Sequence, residues 1–118
     1  MQKRVLVVDD DKDIQTLIRM VLTPPDYEVE SAENGAIALE KLENGKLPDI
    51  LLLDLMMPNM SGYELLTTLY NKGLHSSLSI VVMSADLFTR QQMDQMDIKA
   101  FLTKPFNIND LKSAIEAA

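Results

Sequence analysis

Cysteine is absent from this 118-residue chain, which excludes a disulfide framework and any thiolate metal site. Long hydrophobic runs are absent too: none approaches the ~20 residues that span a bilayer as a helix. No membrane segment is therefore expected. Positive charge is in short supply, with 11 Lys and Arg against 18 Asp and Glu and a formal net charge of −7. Direct nucleic-acid binding depends on cations that neutralise phosphates, so it is not expected either. The first residues, "MQKRVLVVDD", turn acidic too soon for a secretory signal. A cytoplasmic location fits these absences. Internal repeats, low-complexity segments and linkers are also missing, so one domain over 1–118 is expected.

What is present is a regular alternation. "VLVV" (5–8), "ILLL" (50–53), "IVVM" (80–83) and "AFL" (100–102) are continuous apolar runs, as in parallel strands covered on both faces. "YEVES" (27–31) alternates and reads as an edge strand. Ile14, Leu17, Ile18 and Val21 have helical spacing, as do Gly62, Leu65, Leu66 and Leu69. Ala38, Leu39 and Leu42 make a weaker stripe, closed by Asn44 and Gly45, and "TPPDY" (23–27) is a turn that stops the first helix. Ile108, Leu111 and Ile115 predict a final helix with Asn107 as its N-cap. A further helix is predicted over 86–96. Five β-α repeats imply an α/β sheet built of right-handed crossovers.

In such a sheet, ligands bind beyond the carboxyl ends of the strands. There the chain places Asp9, Asp10 and Asp11, then Asp54, then Ser84, then Lys104 followed by Pro105. Asp54 is the odd one, a carboxylate ending a run made for burial. Clustered carboxylates raise one another's pKa values unless compensated, and the usual compensation is a hard cation with oxygen ligands, Mg²⁺ above all. A carboxylate near Mg²⁺, a lysine and a small hydroxyl has the parts for phosphoryl transfer to Asp. Asp11 is better read as the cap of the first helix, with Asp13 in its first turn. His75 reads as a solvated loop histidine. Met56, Met57, Met60, Met83, Met93 and Met96 read as gap-filling core residues, the last two also as an adaptable partner surface.

"VLVVDDD", "LLLDLMMPNMSG", "VVMSA" and "FLTKPF", in this order, resemble the receiver domain of two-component response regulators across essentially the whole chain. The resemblance implies a flavodoxin-like doubly wound sheet of five parallel strands in the order 2-1-3-4-5. It also implies that Asp54 is both the phosphoacceptor and a Mg²⁺ ligand, that Asp10 is a direct Mg²⁺ ligand, and that Asp9 reaches the metal largely through water. The backbone carbonyl of Met56 would be another ligand. Ser84 would hydrogen-bond a phosphoryl oxygen and Lys104 would pair with the phosphoryl group. Phe101 occupies the aromatic switch position, and Pro105 would follow a cis peptide bond. The expected partner is a histidine kinase or phosphotransfer protein. The face made by the 86–96 helix, the fifth strand and the final helix would signal onward to a protein or effector domain. Such a chain is a switch, not an enzyme beyond its own phosphorylation and dephosphorylation.

Three features depart from the family pattern. Ser61 stands where Asp is frequent, although Ser61 with Glu64 still makes a capping box. Asp97 and Ile98 stand where Gly-Ala is common. The interval from Ser84 to Lys104 is shorter than usual by about two residues. Two other functions compete: a dehalogenase-type phosphatase with an Asp nucleophile, and a receiver-like binding module that is never phosphorylated. Asp9 and Asp11 fit the phosphatase's Asp-x-Asp opening, but Asp13 stands where it needs Thr or Val. The unphosphorylated module predicts a missing acidic or lysine position, and none is missing. A flavodoxin-like FMN carrier is unsuited, because its phosphate loop is rich in hydroxyls and backbone donors and this loop is all aspartate.

Overall fold

The continuous apolar runs become the middle of a sheet. In the computed structural model, which describes residues 2–57, 60–84 and 98–118, five strands form: β1 (Lys3–Val8), β2 (Tyr27–Ala32), β3 (Ile50–Asp54), β4 (Ser79–Ser84) and β5 (Ala100–Thr103). All are parallel, in the order β2-β1-β3-β4-β5. The alternating "YEVES" segment is indeed at an edge, since β2 pairs only with β1. Among the described residues the helices are α1 (Lys12–Val21), α2 (Gly35–Asn44), α3 (Gly62–Asn71) and the C-terminal α4 (Ile108–Ala117). The helix expected over 86–96 lies outside the described residues, and so do Met93, Met96 and Asp97.

Successive side chains of a strand point to opposite faces, and this divides the core in two. Val5, Val7, Ile50, Leu52, Val81, Met83 and Leu102 pack against Ile18 of α1 and Leu111 and Ile115 of α4. Their neighbours Leu6, Val8, Leu51, Leu53, Ile80 and Val82 pack against Ala38 and Leu42 of α2 and Leu65, Leu66 and Leu69 of α3. Both faces are therefore covered, which is why these strands carry no polar alternation.

Each of these four α-helices begins on a polar cap. Asp11 accepts from the Asp13 N–H at 2.8 Å, and Asn34 from the Ile37 N–H at 2.9 Å. The Ser61 hydroxyl accepts from the Glu64 N–H at 3.3 Å. Asn107 and Asp110 make a reciprocal capping box at 2.8 and 3.2 Å. The α2 helix closes with the Gly45 N–H on the Lys41 carbonyl at 3.0 Å. Past α3 the chain turns through Gly73, whose φ of +73° is a left-handed conformation that suits glycine.

Two expectations need correcting. Met56 is not a core residue: its side chain sits on the loop after β3 and is 70% exposed, while Met83 is fully buried and Met57 and Met60 are partly so. The loop has already left the sheet at Met56, so no second layer covers it. His75 is not a solvated loop residue. It sits in a short 3₁₀ turn (His75–Ser77), stacked on Tyr70 with ring centroids 4.4 Å apart and with Nδ1 buried.

Candidate functional site

The same alternation that builds the core builds the site. Asp54 continues the face of Ile50 and Leu52, Asp9 continues that of Val5 and Val7, and Lys104 continues that of Leu102. Parallel strands end at one edge, so three side chains from distant parts of the chain converge there. Lys104 Nζ donates to Asp9 Oδ2 at 2.9 Å and lies 3.4 Å from Asp54 Oδ2. Asp9, Asp10 and Asp54 each offer a carboxylate oxygen within 4.8 Å of the others.

Burial differs sharply among the three. Asp9 is 0% exposed and Asp54 5%, whereas Asp10 faces solvent. Every polar atom of Asp9 is engaged. Its N–H donates to the Ala32 carbonyl (3.1 Å), and its carbonyl accepts from Gln15 Nε2 (2.6 Å). Oδ1 accepts from the Asp11 N–H (2.9 Å), and Oδ2 takes the Lys104 ammonium. Asp54 is held by Lys104 and by the Met56 N–H, which donates to Oδ1 at 3.2 Å. Met56 thus enters the site through its backbone.

Burial pushes the Asp54 carboxyl above the usual carboxylate range, and the neighbouring Asp9 adds to this. The Met56 N–H and the Lys104 ammonium pull it back only in part. For Lys104, burial works against the ammonium, but the hydrogen bond and charge of Asp9, followed by Asp54, outweigh it and raise its pKa. Three carboxylates and one ammonium leave a formal charge of −2. Such a surplus on oxygen ligands is what a hard divalent cation offsets.

The remaining expected residues lie around this cluster. Ser84 ends β4, buried, and its carbonyl accepts from the Lys104 N–H at 2.9 Å, which ties β4 to β5 where Lys104 begins. The Lys104–Pro105 peptide bond is cis. Phe101 stands further down β5, opposite Val82, half-buried against the α2 and α3 side of the core. It is not part of the carboxylate cluster. Two residues at the site carried no chemical signal in the sequence. Gln15 looks like any polar helix residue. Gly62 looks like part of an apolar stripe, yet a Cβ there would overlap the Asp54 carbonyl and lie 2.5 Å from Leu55 Cα. Only a residue without a side chain lets α3 start against the end of β3.

Comparison with known proteins agrees with this geometry. The family model for the response regulator receiver domain matches residues 5–116. The chain is 31% identical over 117 residues to the alkaline phosphatase synthesis transcriptional regulatory protein PhoP of Bacillus subtilis, covering 99% of this chain and 48% of PhoP. It is 37% identical over 116 residues to the sensor histidine kinase TmoS of Ectopseudomonas mendocina, covering 97% of this chain and 12% of TmoS. The chain therefore spans about half the length of PhoP and a small part of TmoS. Among solved structures, the response regulator TrrA of Thermotoga maritima, in complex with Mg²⁺ and BeF, superposes with a TM-score of 0.83 at 32% identity. That alignment covers 98% of this chain and 97% of TrrA. A sheet order, a strand-end cluster and a match over nearly the full length converge on one conclusion: the chain belongs to the response regulator receiver domain family.

Proposed function

We propose that Asp54 is the phosphoacceptor of a two-component phosphorelay, charged by the phosphohistidine of a histidine kinase or phosphotransfer protein, or by a small phosphodonor. The observation that carries this reading is the single Lys104 ammonium set between Asp9 and Asp54, at the edge where Asp10 also stands. The all-oxygen donor set and its surplus negative charge suit Mg²⁺. Asp10, the exposed carboxylate, is the direct ligand. Asp9, with both oxygens already engaged, acts through water, and Asp54 and the Met56 carbonyl complete the protein's share. When bound, Mg²⁺ supplies neutralising charge for the transferring group.

The chemistry of the chain itself is short. With a phosphohistidine donor, an Asp54 carboxylate oxygen attacks phosphorus while the N–P bond breaks. The electron pair leaves with the imidazole, which takes up a proton. Lys104 then pairs with one phosphoryl oxygen and the Ser84 hydroxyl hydrogen-bonds another. Drawing Ser84 inward shifts Phe101 and biases the face around β5 and α4 for a downstream partner. Couplings of this kind are about 1–3 kcal/mol, so both arrangements stay populated. The domain is thus a switch rather than a turnover enzyme, and it works in the cytoplasm beside its kinase. Among the described residues no helix is long and apolar enough to cross a membrane.

Dehalogenase-type chemistry would make Asp9 the nucleophile. Its complete burial and fully engaged oxygens argue against that role. Acetyl phosphate with Mg²⁺ should add one phosphoryl group per chain, read by intact mass, and Asp54→Asn should add none. Full incorporation in Asp54→Asn, or repeated phosphate release through Asp9, would overturn the assignment. Lys104→Ala should weaken the response to phosphorylation more than Mg²⁺ binding, and equal loss of both counts against the role given to Lys104.

A further inference from the structure

Asp9 lies one residue past the end of β1 and is completely buried. Its carbonyl has run beyond the backbone ladder that pairs the strands, and a buried carbonyl needs a donor. Gln15 supplies it, with Nε2 donating at 2.6 Å. Helical side chains lean back towards the helix N-terminus, so Gln15, one turn after the Asp11 cap, reaches over the loop to Asp9. This bond matters beyond Asp9. The carbonyl belongs to the planar peptide that ends at the Cα of Asp10, so holding its oxygen orients the plane and the departure of the Asp10 side chain. Asp10 is the exposed member of the carboxylate cluster, on the loop between β1 and α1.

We propose that Gln15 is a positioning residue: its carboxamide holds the Asp9–Asp10 peptide so that the Asp10 carboxylate is presented to the cation. The proposal rests on reading the cluster as an Mg²⁺ site. Gln15 touches neither the cation nor the phosphoryl group. It acts through the backbone.

Gln15→Met keeps length and packing but has no N–H, and Gln15→Ala removes both. Mg²⁺ affinity is measured by calorimetric titration of the unphosphorylated protein, and melting temperature in chelator. Both variants should bind Mg²⁺ about 3- to 10-fold more weakly, as expected for loss of one neutral hydrogen bond. In an Asp10→Asn background, Gln15→Met should add no further loss, because the group it positions is gone. A Met variant with wild-type affinity overturns the proposal, as do additive losses in the double variant. A lowered melting temperature with unchanged Mg²⁺ affinity makes Gln15 merely structural and also overturns it. Failure of the wild-type chain to bind Mg²⁺ at all would instead remove the proposed function beneath it.

Discussion

Asp54 combines two demands that oppose each other: a position fixed by burial and a charge that burial disfavours. Its carboxyl is raised above the ordinary value of 3.8, first by desolvation and then by Asp9, against the pull of Met56 and Lys104. The sign of the linkage follows. Below 3.8 the group is protonated in folded and unfolded chains alike, and no penalty exists. As pH rises from there through the higher folded value, ionisation of the buried group costs stability, so neutral pH carries a penalty that acid pH does not. Asp54→Asn should therefore melt higher than wild type in metal-free neutral buffer, with the gap closing towards acid. Parallel melts across that range check this, and a constant gap would contradict it. Lys104 behaves in the opposite sense. Its raised pKa means that its contribution is complete below 10.5 and is lost only as pH rises past its folded value. Lys104→Met leaves two buried carboxylates without their cation and should cost about 3 kcal/mol at neutral pH in urea unfolding. Mg²⁺ should restore part of that loss.

Among the elements, strands and caps were legible because each is written locally. The apolar runs named four strands, the alternation in 27–31 named the edge, and Asp11 and Asn107 cap as their residue types predict. Met56 and His75 were misjudged because burial depends on what packs over a residue, which its neighbours in sequence do not encode. Gly62 shows the same limit in steric form. Its place in the stripe Gly62, Leu65, Leu66 and Leu69 is a helical reading, but the need for glycine arises from the β3 backbone beneath it. Gly62→Ala should push the start of α3 off the end of β3 and cost about 1–3 kcal/mol by overpacking. Because α3 is joined to Asp54 by the loop carrying Met56, phosphoryl incorporation should slow as well, measured with acetyl phosphate.

For the molecule as a whole, core and site share one sheet, so their responses should separate cleanly. Leu52→Ala opens a cavity on the α1 and α4 side and should cost about 2–5 kcal/mol in metal-free unfolding. Mg²⁺ at about 100 times its dissociation constant should add about 2.7 kcal/mol to the wild type and about the same to Leu52→Ala. A much smaller gain in the variant would mean that the core sets the site's geometry more directly than the strand ends do. Residue types and their order were enough to specify an α/β sheet, five strand positions, the acidic loop after β1 and a lone carboxylate after β3, because burial periodicity and capping act over a few residues. Which side chains meet was decided only by the tertiary fold. Lys104 reaches Asp9 from 95 positions away, Gln15 turns back onto a carbonyl that has left the ladder, and Gly62 passes under Asp54. Those encounters depend on strand order and register, which arise when both faces of the sheet are packed at once.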